Sequence, residues 1–280
     1  MSGRRKRRTR QYPDGLLGRI AATVGRPVVA RLSELARESL RQPGSWRCLE
    51  IVYRNEPHTL LDRFWLSRRA ARGARNRLQV LTEELGQIVR SIARKDGRVR
   101  LLSLGSGPGH EVLGCIKRLQ DSAVVEATCV DRDAEAIEYG ESLALHKGLA
   151  GCVHYVRGDV FIAGVLPPCQ DVAVLSGLLD YLDMKAAVSI LTRVRETLTP
   201  GGVVLLANMR HHNMASTMSM LGNWHLVYRE PREVERLLVE SGYGEIKVWL
   251  ESEKVFCIGR GWKLGLTGTP AGPEVAGTET

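Results

Sequence analysis

From residue 98 onward, short apolar runs alternate with stretches of helical periodicity. The runs are 99–104 (VRLLSL), 124–130 (VVEATCV), 153–156 (VHYV), 171–176 (DVAVLS) and 203–208 (VVLLAN). Runs this short and this continuous suit strands buried on both faces. Between them, 109–121, 133–148 and 184–198 read as helices, and that alternation predicts a parallel sheet covered on both sides. A further helix at 231–241 leads to strands at 245–250 and 254–259. Glu251, Ser252 and Glu253 form the short connection, which predicts an antiparallel hairpin at the sheet edge. The expected fold is α/β: a doubly wound, mostly parallel seven-stranded sheet with an antiparallel C-terminal hairpin.

Between about 14 and 95 the period is helical. Leu17, Ile20 and Val24 share one face; Val28, Leu32 and Leu35 continue it after Pro27, which suits the first turn of a second helix. The clearest stripe is Leu78, Leu81, Leu85, Ile88 and Ile92, one face of a single amphipathic helix. Residues 1–11 are charged without apolar pattern, and 264–280 are rich in Gly, Pro and Thr; both are expected to be disordered tails. The expected organisation is a basic tail (1–11), a helical region (12–96), an α/β domain (97–263) and a tail.

Composition narrows the class. Hydrophobic residues make up 44% and charged residues 25%, enough for a sizeable core. The net charge is +9, but Arg4, Arg5, Lys6, Arg7, Arg8 and Arg10 supply much of it, so the body is only mildly basic. That weakly favours anionic partners without demanding nucleic acid. The tail suits nucleic acid, acidic lipid or a nuclear address, or simply aids solubility. Cys48, Cys115, Cys129, Cys152, Cys169 and Cys257 are scattered, with no CxxC pair or Cys/His cluster, so reduced cysteines in a cytoplasmic protein and no metal are expected. The charge run is followed by no continuous apolar segment, and no stretch reaches the ~20 apolar residues of a membrane helix.

Candidate chemistry gathers after the strands. Gly105-Ser106-Gly107-Pro108-Gly109 lies between a strand and a helix, where glycine lets the backbone turn sharply and approach a ligand. The spacing is G-x-G-x-G; His110 breaks the G-x-G-x-x-G dinucleotide fingerprint and disfavours a nicotinamide cofactor. Asp131 ends the second strand, where a carboxylate can accept from both hydroxyls of a ribose. Asp133 is better placed to cap the following helix. Gly158-Asp159-Val160 follows the third strand: the carboxylate can accept from an exocyclic amine while the next N–H donates to a ring nitrogen, or the pair only starts a turn. Pro200-Gly201-Gly202 turns into the fifth strand and is structural.

The segments LLSLGSGPGHE, CVDRD, VRGDVF, DVAVLSGLLDYL and LTPGGVVLLAN, in this order and spacing, resemble the class I, Rossmann-like S-adenosylmethionine-dependent methyltransferases over roughly 98–260. The resemblance implies S-adenosyl-L-methionine as cofactor and S-adenosyl-L-homocysteine as product. It implies Gly105, Ser106, Gly107 and Gly109 at the methionine part, Asp131 with Arg132 at the ribose, Asp159 with Val160 at the adenine, and Ser176 at the end of strand four. The family often has an acidic residue two before the first glycine. Ser103 stands there, leaving the contact to the cofactor's amino group to Glu111.

The acceptor is expected over the ends of strands four and five. The Asn/Asp-Pro-Pro-aromatic motif of amino-methylating enzymes is absent after strand four, where Ser176-Gly177-Leu178-Leu179-Asp180-Tyr181 stands. Asp180 and Tyr181 are candidates for contact with substrate or with the cofactor's methionine end, Tyr181 also for a catalytic role, or else for a cap and a packed aromatic. After strand five, His211 or His212 can act as general base or remain solvated, beside Arg210. Trp224, Tyr228 and Arg229 follow, and Arg229 can pair with a substrate carboxylate or form an ordinary ion pair. SGLLDYL, Asn208 and NWHLVYR are similar to bacterial carboxyl-methylating enzymes that make hydroxy-fatty-acid methyl esters. Arg68, Arg72 and Arg75, with Arg63, Arg69 and Arg77 nearby, form a basic helix face that can greet an anionic acceptor or stay solvated. The helical region is expected to act as a lid. The expectation is a small-molecule methyltransferase, O-directed to carboxylate or hydroxyl; an RNA methyltransferase and a non-catalytic cofactor-binding partner are the alternatives.

Overall fold

The computed structural model describes residues 26–119, 124–162, 164–212 and 224–265. The helix expected around Leu17–Val24 and nearly all of both expected tails lie outside them. The chain divides into two compact units, Met1–Leu66 with Asn213–His225, and Ser67–His212 with Leu226–Thr280.

The first unit holds α1 (Arg26–Leu32), α2 (Glu34–Arg41), α3 (Trp46–Arg54) and α4 (Leu60–Leu66). Pro27 sits in the first turn of α1, as its fixed φ favours. The apolar face expected to run from Val28 through Leu35 is interrupted at Ser33, whose side chain caps α2 by accepting from the Ala36 N–H; Val28 and Leu32 stay about half exposed, at 49% and 53%. Ser33 also donates to Asp62 Oδ1 at 2.7 Å, and Thr59 to Asp62 Oδ2 at 3.0 Å. Burial alone would raise the Asp62 pKa, but these bonds and the Leu35 and Glu34 N–H groups together hold it below the usual carboxylate value.

The second unit begins with α5 (Arg69–Asp96), followed by β1 (Arg98–Leu104), α6 (His110–Arg118), β2 (Val124–Asp131), α7 (Ala134–His146), β3 (Val153–Arg157), β4 (Gln170–Ser176), a 3₁₀ turn (Leu178–Tyr181), α8 (Met184–Thr197), β5 (Leu198–Met209), α9 (Pro231–Glu240), β6 (Gly244–Leu250) and β7 (Phe256–Trp262). The strands form one sheet in the order β3-β2-β1-β4-β5-β7-β6. Six run parallel and β7 alone runs against them, pairing antiparallel with both β5 and β6. This is the mostly parallel sheet and C-terminal hairpin that the periodicity predicts.

Side chains alternate across each strand, and here both faces are dry. Leu102, Leu104, Ala173, Leu175, Val204 and Leu206 join Ile190, Leu191 and Val194 of α8 and Val234, Leu237 and Leu238 of α9 in one core. The opposite face is crossed by α5, which packs over β1, β4, β5 and β7 and against α6. Its apolar stripe is buried at Ala74, Leu81, Leu85, Ile88 and Val89. Arg69 and Arg72 of this helix both pair with Glu253 in the β6–β7 turn, so part of the basic face is neutralised. The turn is held from within by Glu251, 2% exposed, which accepts from the backbone of Glu253, Val255 and Phe256 and from Asn76.

After β1 the chain moves outward through β2 to β3; from β4 it moves the other way. The reversal lies between β1 and β4, and it opens a crevice beyond their carboxyl ends, where open parallel sheets bind ligands.

Candidate cofactor and methyl-transfer site

The loop after β1 forms one wall of this crevice. Gly105 and Gly109 have φ of +58° and +75°, which side-chain-bearing residues rarely adopt. A Cβ at Gly109 would also stand 3.1 Å from Cys129 Sγ, and one at Gly105 3.2 Å from Leu178 Cβ. The loop is pinned from beneath. Ser106, 8% exposed, donates its N–H to the Val130 carbonyl and its hydroxyl to Gly107 O, and Tyr155 donates its hydroxyl to Pro108 O at 2.8 Å. Burial pushes the Tyr155 phenol well above its ordinary pKa, so it stays a donor.

Asp131 closes the next position. Its Oδ2 accepts from the Gly107 N–H at 2.7 Å and its Oδ1 from the Asp133 N–H at 3.0 Å. Two backbone donors thus fix the carboxylate's plane, and each oxygen retains a second lone pair. Capping of α7 falls to Asp133, which accepts from Glu135 and Ala136 N–H. Arg132 is exposed beside it. After β3, Asp159 is exposed and accepts from the Phe161 N–H at 2.9 Å, while Val160 is buried at 6% with its carbonyl held by Arg193.

Two groups at the loop's base are unusual. Ser103 is fully buried and its hydroxyl has no hydrogen-bond partner among the described residues; Glu111, near the start of α6 and 4% exposed, likewise has an Oε1 with no partner among them. Burial pushes the Glu111 pKa up, opposed by the charges of Arg77 and His110 and by the nearby Ser103 hydroxyl, which lies outside hydrogen-bonding geometry.

The β4 side carries Ser176, Gly177 and the 3₁₀ turn. Asp180, 4% exposed, accepts from the Met209 N–H at 2.6 Å. Burial pushes its pKa up to about 6, against the pull of that N–H, Arg77 and Arg229. Arg229 is 3% exposed and donates to Leu179 O, Leu182 O and Asn208 Oδ1, tying the turn to β5. Tyr181, by contrast, is 49% exposed. Arg210 pairs with Glu230 Oε2 at 2.6 Å.

Of the two histidines, His211 is exposed and His212 is 9% exposed; their rings lie 5.6 and 6.0 Å from that of Tyr228. Neither ring nitrogen of His212 has a partner among the described residues, and burial pushes its pKa down, so the imidazole is neutral near pH 7. Trp224 belongs to the first compact unit, and Asn213 lies outside the described residues. Arg77 lies on α5 three residues after Ala74 and four before Leu81, within the apolar stripe, and is 3% exposed.

A doubly wound sheet, a pinned glycine loop after β1 and a backbone-held carboxylate after β2 define the fold of the S-adenosylmethionine-dependent methyltransferases. Residues 28–260 match the family described as "Putative methyltransferase", and the chain belongs to that family. No curated protein matches the sequence significantly. Among solved structures, a protein from Bordetella parapertussis described as a possible exported protein superposes with a TM-score of 0.76 at 18% identity, covering 88% of each chain. An O-methyltransferase family 2 protein from Planctomyces limnophilus, in complex with apigenin, gives 0.57 at 15% identity, covering 91% of this chain and 72% of that one. Human N-acetylserotonin methyltransferase in complex with SAM gives 0.50 at 16%, covering 88% and 69%. Among the described residues no helix is long and apolar enough to cross a membrane, and no group of His, Cys, Asp or Glu has the arrangement of a metal site. All six cysteines are free thiols.

Proposed function

We propose that the protein transfers a methyl group from S-adenosyl-L-methionine to an oxygen of a small-molecule acceptor. The observation that carries this reading is the Gly105–Gly109 loop joined to Asp131 through the Gly107 N–H, at the point where the strand order reverses. The residues present fit the cofactor. The glycines hold the loop in backbone conformations that side-chain-bearing residues rarely adopt, the lone pairs remaining on Asp131 match a ribose diol, and Asp159 with Val160 suits an adenine edge. When bound, S-adenosyl-L-methionine supplies a methyl group already activated by its sulfonium.

Alignment of donor and acceptor and exclusion of water are then the main tasks of the chain. Asp180, Arg229 and Asn208 hold the β4 and β5 ends in fixed relation. His212 is the favoured general base: buried, neutral and with a ring nitrogen available, it can take the proton of a hydroxyl acceptor. An acceptor carboxylate arrives deprotonated and needs no base. The neighbour described above as an O-methyltransferase family 2 protein, in complex with apigenin, supports an oxygen-directed reaction on a small molecule.

Calorimetric titration with S-adenosyl-L-methionine and S-adenosyl-L-homocysteine tests the cofactor, with Asp131→Ala as control. The expected result is micromolar binding that the variant loses. A folded wild-type protein that binds neither would overturn the proposal. Labelled-methyl transfer to panels of phenols, hydroxy acids and carboxylic acids then identifies the acceptor class.

A further inference from the structure

We infer that the exposed face of α1 and α4 is a docking surface for an anionic lipid bilayer, with Val28, Leu32, Leu60 and Phe64 entering the interfacial layer and Arg31 and Arg63 meeting acidic headgroups. The surface lies wholly within the helices of residues 26–66 and does not depend on the methyl-transfer reading.

Placement comes first. The two helices carry the same triplet: an apolar residue, an arginine three positions on and an apolar residue four positions on. In α1 it is Val28, Arg31 and Leu32; in α4 it is Leu60, Arg63 and Phe64. Residues so spaced share one helix face. All six are exposed. Leu60 is 82% exposed and Phe64 43%, beside the half-exposed Val28 and Leu32. The Thr59 hydroxyl lies 2.6 Å from the Leu32 carbonyl, and Asp62 of α4 accepts from Ser33, the residue directly after α1. These bonds set the end of α1, with Leu32, against the start of α4, with Leu60, so the two apolar faces adjoin.

Charge comes second. α1 contains no acid, and the single acid of α4, Asp62, is 2% exposed and turned inward to Ser33 and Thr59. Arg31 and Arg63 enter no ion pair among the described residues. The face thus presents apolar area flanked by uncompensated positive charge, the composition of an interaction surface. A second copy of the chain, packed about a two-fold axis, would set this face against itself and bring the arginines of one copy towards those of the other. A folded protein partner would need a pocket for Leu60, which stands almost clear of its own helix pair. A bilayer interface needs no pocket, because it yields to a protruding side chain. Its acidic headgroups balance the arginines, whose aliphatic stems can lie along the acyl boundary while the guanidinium groups stay at headgroup level. The protruding leucine and the charge together select the bilayer.

Co-sedimentation of the full-length protein with vesicles tests this, using phosphatidylcholine alone and equal parts of phosphatidylcholine and phosphatidylglycerol. Wild type is compared with Leu60→Ser and with the double variant Arg31→Gln/Arg63→Gln. The three positions are exposed, so circular dichroism melts should superpose. Every variant keeps the basic residues Arg4–Arg10, so their contribution is common to all. Wild type should partition onto the mixed vesicles. Leu60→Ser should weaken that binding about tenfold, as loss of a leucine from an apolar contact implies. The arginine variant should weaken it about twentyfold, about fivefold for each charge, and leave any affinity for phosphatidylcholine alone unchanged. Wild type that stays in the supernatant with the mixed vesicles would overturn the proposal. So would binding that both variants retain in full, which would assign it to basic residues elsewhere. A wild-type dimer in size-exclusion chromatography that Leu60→Ser dissociates, without vesicle binding, would give the face to a second copy instead.

Discussion

Replacing Gly140 by alanine sets two rules against each other. Gly140 lies in the interior of α7, where alanine is favoured over glycine by about 1 kcal/mol. Propensity alone therefore predicts a more stable protein. The structure predicts the reverse. A Cβ at Gly140 would stand 2.5 Å from Tyr155 Cε1, 2.7 Å from Cζ and 2.9 Å from the hydroxyl. The ring would have to move, and overpacking of this kind costs about 1–3 kcal/mol. Tyr155 also donates to Pro108 O, and losing that bond costs about 1 kcal/mol more. The net is a loss of about 2 kcal/mol, or a fall in Tm of about 4–8 °C for a domain of this size. Since Pro108 belongs to the glycine loop, cofactor affinity should fall as well. Urea denaturation of a double-mutant cycle with Tyr155→Ala is the decisive assay. In the alanine-155 background the obstruction is gone, and Gly140→Ala should become stabilising. A stabilising effect in the parent protein, or the same effect in both backgrounds, would refute the reasoning.

Other expectations concern charge. The lowered His212 pKa means that its contribution to stability is complete above the unfolded value of 6.5 and declines as pH falls below it; His212→Gln should flatten that limb of the stability–pH curve. If His212 is the base, methylation of a hydroxyl acceptor should rise with pH through its lowered pKa, and the variant should lose that limb. Arg229→Met should cost about 3–5 kcal/mol by urea denaturation, because Asn208 Oδ1 and the Leu179 and Leu182 carbonyls would be left buried without their donor. Asp62 has a lowered pKa, so the stability it supplies is present above about pH 4 and is lost in more acid solution; Asp62→Asn should remove that acid limb in unfolding followed from pH 5 to 2.

The fold was legible because β-sheet and helix periods differ so plainly after residue 98. The strand at 153–156 needed one residue added, and the helix at 184–198 one removed. β5 begins at Leu198, before the expected 203, because Leu198 pairs with Gln170 ahead of a register shift and the Pro-Gly-Gly segment is carried into the strand. The glycine loop after β1 and the carboxylate that ends β2 were legible as a turn and a strand end in the expected places. The ends of β4 and β5 were less so. Nothing in a His-His pair tells which ring the fold will bury, and Arg229 reads as a surface residue until Leu179, Leu182 and Asn208 surround it. Arg77 was hidden in another way: in sequence it is one arginine among several on a basic helix, and only the packing of α5 on the sheet separates it from Arg69 and Arg72.

The crevice also has a history within each molecule. Its two walls belong to strands that pair through Leu101 and Val172, roughly 70 residues apart, so the loop between them must close before the site exists. Parallel pairing at that separation is slow, and the glycine loop and the β4 end are therefore brought together late in folding. A ligand that recognises both walls cannot guide the early chain. It acts on the finished molecule, holding β1 and β4 together and slowing escape from the native state more than it hastens arrival there.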